Sequence, residues 1–147
     1  MIVGFVALVG IQFIPADVNQ QEGIPETDIR YVYDMPENVI RTLESSCYDC
    51  HSNNTRYPWY SRLQPIRLMM DKHVDEGKGE LNFNEFANYS DRRKKSKLSA
   101  VSEQIKEQEM PLPSYLLLHP EAKITKQQAD SIFYFIEKVL MKNKGEK

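Results

Sequence analysis

Cys47, Tyr48, Asp49, Cys50 and His51 form a C-x-x-C-H pentapeptide, and nothing else in the 147-residue chain constrains its fold as strongly. Two thiols one helical turn apart can both add to the vinyl groups along one edge of a porphyrin, while the next residue turns its imidazole beneath the metal. This is the attachment signature of c-type haem. The cysteines would make the group irremovable, and His51 would supply the axial nitrogen that tunes the iron. The expected cofactor is therefore one covalent haem c, with Cys47, Cys50 and His51 binding it and His51 as metal ligand.

Competing assignments explain less of the pentapeptide. A disulfide across two intervening residues closes too short a loop to stabilise much, and it leaves the histidine without a role. A thioredoxin-like pair wants a hydrophobic strand before it within a βαβ pattern, whereas the residues before Cys47 have helical spacing. Structural zinc needs four ligands, and with two cysteines in the chain the others would have to come from His51, His73 or His119 at unfamiliar spacings.

At this length the chain has room for one small domain, and with 41% hydrophobic residues it can build a core to which a buried cofactor would add much apolar contact. The chain without its cofactor is expected to be poorly ordered. Nineteen basic against 21 acidic residues leave a formal charge of -2, which gives no footprint for nucleic acid.

Residues 1–14 are almost wholly apolar, with Gln12 the exception before Pro15. The run is shorter than the roughly 20 residues of a spanning helix and has no basic residue before it, so it is expected as a signal or anchor segment outside the fold. No small-residue cleavage pattern stands near Pro15, which favours an uncleaved anchor. Haem attachment to such a motif takes place beyond the bacterial inner membrane, so the expected location is periplasmic or extracytoplasmic, with the membrane held through this segment. Residues 15–34, with Pro15, Gly23 and Pro25 and no apolar period, are expected as a tether, and residues 35–143 as the folded domain.

Within that domain the periodicities predict helices. Val39, Ile40, Leu43 and Cys47 form a stripe after Pro36, so a first helix delivers the motif. Ser52 to Thr55 break it, and Tyr57, Pro58, Trp59 and Tyr60 follow as a loop cluster in which Tyr57 and Trp59 are candidate porphyrin walls, with ordinary core packing as the alternative. Pro65 opens a second helix carrying Ile66, Met69, Met70, His73 and Val74, closed by Gly77 and Gly79. Leu81, Phe83 and Phe86 return to the core. A third helix from about Asp91 places Leu98, Val101 and Ile105 on one face and starts with a basic run, Arg92 to Lys97, that suits either an acidic redox partner or plain solvation. Thr125 looks like the N-cap of a last helix with Ile132, Phe135, Ile136 and Val139 on its inner face.

For the sixth position on iron Met110 is the first choice. It precedes Pro111 and follows an acidic helix end without a capping residue, which predicts a stiff extended loop able to aim a thioether at a metal. A methionine merely filling a core gap is the alternative. His73 is the competing ligand and His119, before Pro120, the third. A bis-histidine iron would have the lower potential, because a neutral thioether favours ferrous iron.

The chain resembles the bacterial haem-binding domain family of membrane-tethered c-type cytochromes. The resemblance rests on Gly10 to Ile14, Cys47 to His51, Asn54 to Tyr60, His73-Val74 with Gly77, Leu81 to Phe83, Met110 to Tyr115, and His119-Pro120 with Ile124-Thr125. The Met-Pro loop before a threonine-capped last helix is also similar to the second half of a class I cytochrome c, where the methionine is the distal ligand. It implies an all-α, cytochrome c-like domain wrapped around one haem, with first and last helices crossing. The stretch from Thr55 to Gly79 is longer and more aromatic than in minimal cytochromes. The function expected is electron transfer with a redox partner protein and no substrate chemistry. A haem sensor or peroxidase with an open sixth site is the alternative, and a haem-free dithiol module the third.

Overall fold

The computed structural model describes residues 2–142; Met1, expected within the anchor, and Asn143, expected as the domain's last residue, lie outside the described residues. The elements are helical throughout, and no strand occurs among the described residues. In chain order the α-helices are α1 Ile2–Gly10, α2 Ile29–Val32, α3 Glu37–Ser46, α4 Tyr48–His51, α5 Ile66–Glu80, α6 Asp91–Lys106, α7 Pro113–Leu116 and α8 Lys126–Lys142. Short 3-10 turns lie between several of them, notably Trp59–Arg62 and Phe83–Asn88.

The core follows the predicted stripes closely where helices face one another. Val39, Thr42, Leu43 and Ser46 are the buried face of α3, and they pack on α8, which buries Ile132, Phe135 and Ile136. α6 closes the other side of α8 with Leu98 and Ile105. Phe83 and Phe86 are almost completely covered, and each contributes roughly 1.5–3 kcal/mol by leaving water. Thr125 caps α8 through a reciprocal pair: the Gln128 N–H donates to its Oγ1 at 3.3 Å, and its own N–H donates to Gln128 Oε1 at 2.8 Å.

Four expectations are corrected. The helix bearing the motif does not run through it: α3 stops at Ser46, Cys47 takes φ -128°, and α4 begins afresh. Gly77 and Gly79 do not end α5, which continues to Glu80. Gly77 serves close packing instead, since a Cβ there would stand 2.6 Å from the Cys50 carbonyl oxygen. The apolar stripe on α5 is only partly inward, with Val74 buried while Ile66 and Met69 face out. Arg67 takes the inner position they were given: it pairs with Asp71 at 2.7 Å, lies 4.3 Å from the Tyr57 ring centre, and donates to the Asp17 carbonyl.

The fourth correction concerns residues 15–34, which pack as part of the domain rather than hanging as a tether. Asp28 and Ile29 are buried, and α2 packs on the Phe83–Asn88 turn. Asn19 bridges the loop after the pentapeptide, its Nδ2 donating to the Ser52 carbonyl at 2.9 Å and to Thr55 Oγ1 at 2.8 Å. Polar side chains do the binding there, so no apolar period announces it. Of the N-terminal residues, α1 is exposed along its length, whereas Gln12 is fastened to the domain: its carboxamide donates to the Gln64 carbonyl at 3.2 Å and accepts from the Gln64 N–H at 3.0 Å. No helix among the described residues is long and apolar enough to cross a membrane.

Candidate cofactor site

A cavity of about 570 Å³ opens between α4, α5, α6 and the loop that follows α6. Its size is that of a site for a cofactor-sized ligand. Cys47, Cys50 and His51 form one wall, Leu81 and Phe83 lie beside them, and Val101 and Ile105 face in from α6. Met110, Pro111, Leu112 and Tyr115 also line it, and so do His73 and Gly77 of α5. Glu76, Glu80, Lys97 and Gln104 also line it, and the Lys97 ammonium pairs with Glu80 at 3.1 Å.

The pentapeptide presents its groups through two local devices. In α4 the His51 N–H donates to the Cys47 carbonyl at 2.9 Å, which curls the motif into one turn. Gly77 then lets α5 lie directly against Cys50. The His51 ring is oriented by its Nδ1, 3.0 Å from the Leu81 carbonyl oxygen. A carbonyl can only accept, so Nδ1 carries the proton and Nε2 keeps its lone pair, the tautomer a metal requires. Burial lowers the pKa of His51, against the Leu81 and Gly77 carbonyls that favour the charged form, and so keeps it neutral.

Both cysteines are free thiols. Burial, with Cys50 beside it, pushes Cys47 up to about 12, and burial with Asp49 pushes Cys50 up to about 11. Neither is a thiolate near neutral pH, which sets them apart from reactive redox pairs whose thiols are acidified. The set of two protonated thiols, a neutral imidazole with a fixed tautomer, a thioether and an apolar surround suits a haem. It does not suit zinc, and no group of three or more metal-ligating His, Cys, Asp or Glu residues occurs among the described residues.

Met110 reaches the cavity by a route different from the one expected. The end of α6 is capped: Gln108 adopts φ 60°, its N–H donates to the Ile105 carbonyl at 3.2 Å, and the Glu109 N–H donates to the Gln104 carbonyl at 3.0 Å. These two bonds are a Schellman motif with glutamine in the place that glycine usually takes, which is why it escapes a search for glycine. The chain turns sharply there, and the Met110 N–H also donates to the Gln104 carbonyl at 3.3 Å.

Three candidates fall outside the cavity. Tyr57 and Trp59 do not line it. The Tyr57 hydroxyl accepts the Asn19 N–H at 2.8 Å with the ring against Arg67, and Trp59 is 77% exposed. His119 is occupied elsewhere: its Nε2 accepts the Tyr60 hydroxyl, its Nδ1 faces Glu121 Oε1 at 3.2 Å, and its ring stacks on Tyr115 at 4.4 Å. That leaves Met110 and His73 as the candidate sixth ligands inside the cavity.

The periodicities did not single out Asp49 and Tyr115. Asp49, between the two cysteines, accepts the backbone N–H, Nε and Nη2 of Arg56 at 3.1, 2.9 and 3.0 Å and the Tyr115 hydroxyl at 2.6 Å. The signal available was the charge itself, since a carboxylate on a packed turn needs a cation nearby.

The fold and cavity define a helical domain with a cofactor-sized cavity lined by two thiols, two imidazoles and a thioether. The model of the haem-binding domain family matches residues 6–138, and the chain belongs to that family. No curated protein and no solved structure matches it.

Proposed function

We propose that this haem-binding domain is a mono-haem c-type cytochrome that transfers electrons on the outer face of a membrane. The observation that carries this is the convergence of Cys47, Cys50, His51 and Met110 on one cavity, with His51 already held in the ligating tautomer by Leu81. When bound, haem supplies a one-electron ferric/ferrous couple. The chain's contribution is positional. Cys47 and Cys50 would hold one porphyrin edge in thioether linkage, His51 Nε2 would be the proximal nitrogen, and Met110 would present the distal sulfur. Phe83, Val101 and Ile105 keep the surround apolar, which favours the less charged ferrous state.

An N-terminal anchor fits the same picture. The apolar side chains of α1 are exposed among the described residues, and Gln12 fixes the place where the chain leaves the domain. A partner carrying electrons would then be confined to the same membrane or the space beside it, and the basic start of α6 offers it an acidic-partner surface. A cytochrome c-like wrap, with α3 and α8 crossing, accommodates these positions.

His73 in the cavity favours one alternative, a sensor or peroxidase in which the sulfur is displaced or absent. Optical spectra separate the two. Protein matured with a c-type attachment system should keep its haem in denaturant, show the weak far-red ferric band of thioether ligation, and bind carbon monoxide slowly. Met110→Ala should lose the band and bind carbon monoxide fast. An unchanged Met110→Ala spectrum would move the ligand to His73, and haem lost to denaturant would remove the covalent assignment.

A further inference from the structure

We infer that Tyr115 and Asp49 form a clasp that holds the Met110 loop against the haem-attachment turn, making both positioning residues for the sixth ligand. The inference rests on the proposal that Met110 is that ligand. The Tyr115 hydroxyl donates to Asp49 Oδ2 at 2.6 Å, a short bond to a carboxylate that also pairs with Arg56 and is 7% exposed. Asp49 is aimed by the backbone N–H and the guanidinium of Arg56, whose Nη2 shares Oδ2 with Tyr115, so Arg56 fixes the carboxylate that Tyr115 meets.

The location gives this bond its effect. Asp49 lies between the two cysteines, so once they are joined to the porphyrin the carboxylate is fixed relative to the ring. Tyr115 ends the segment that begins at Met110. The segment's start is pinned to α6 by the Met110 N–H on the Gln104 carbonyl, and its end to α4 by the clasp. His119 backs the Tyr115 ring at 4.4 Å with an interplanar angle of 19°, and Tyr60 holds His119 from its far side. Burial and the nearby Asp49 carboxylate both raise the pKa of Tyr115, which keeps the hydroxyl a donor across the working range of pH.

Tyr115→Phe removes the hydroxyl and keeps the ring in its stack. A hydrogen bond to a charged group corresponds to about a tenfold or larger change in the equilibrium it supports. Holoprotein carrying Tyr115→Phe should therefore weaken the far-red ferric band and bind carbon monoxide about tenfold faster, with covalent haem retained. Arg56→Lys, which keeps the hydroxyl but loosens the carboxylate, should shift both readouts the same way by less, and it carries the test should Tyr115→Phe fail to fold. If Met110→Ala changes both readouts while Tyr115→Phe and Arg56→Lys leave them at wild-type values, the clasp is overturned. If Met110→Ala changes neither, the ligand assignment fails and the clasp with it.

Discussion

At the scale of single residues, the two glycines near the end of α5 show how differently the same side chain can be used. A Cβ at Gly77 would meet the Cys50 carbonyl oxygen at 2.6 Å, while one at Gly79 meets nothing within 4 Å. Backbone cannot move aside as the tip of a flexible side chain can, so Gly77→Ala has to push α4 from α5. We expect it to destabilise the holoprotein by roughly 1–3 kcal/mol in urea unfolding and to lower its haem content. Gly79→Ala should be neutral or stabilising by about 0.5–1 kcal/mol, because helical glycine costs conformational entropy. Equal effects of the two substitutions would show that the α4–α5 approach is not limiting. His51 was singled out in the sequence by the pentapeptide. Its tautomer was not, because the Leu81 carbonyl that sets it is 30 residues away.

Among the elements, the ends of α6 and α8 decide where the loop carrying Met110 can go. α6 closes with Gln108 at φ 60°, a conformation that costs an L side chain roughly 1–2 kcal/mol and glycine nearly nothing. Gln108→Gly should therefore raise the urea midpoint of the holoprotein while leaving its spectrum as it was. A fall in the midpoint would mean that the glutamine side chain contributes more than its backbone costs. The inner faces of α3, α6 and α8 were readable as stripes, since a 3.6-residue period reports the side that packs. The N-terminal half of α5 was misread for the same reason. Ile66 and Met69 keep the period but not the burial, because Arg67 neutralised by Asp71 occupies the inner side.

Across the whole molecule, residues 15–34 join parts of the chain that are far apart in sequence. Asp28 accepts Arg30 Nε at 3.0 Å, Asn84 Nδ2 at 2.7 Å and the Tyr48 hydroxyl at 3.0 Å, tying α2, the Phe83–Asn88 turn and α4 around one buried carboxylate. Removing that acceptor leaves the Asn84 and Tyr48 donors without their partner and Arg30 with Glu44 alone, at 2.9 Å, so Asp28→Ala should cost on the order of 3 kcal/mol in unfolding free energy. A loss below ~1 kcal/mol would restore the tether picture of this segment. The sequence by itself pointed to haem and determined the helical class and most of the core, because a five-residue motif and a helical period are local properties of the chain. Only the tertiary structure decided that Met110 and His73 share the cavity while His119, Tyr57 and Trp59 do not, and that Asp49 meets Tyr115. Those pairings depend on where polar side chains find partners across long separations, and a polar partner leaves no period in the sequence.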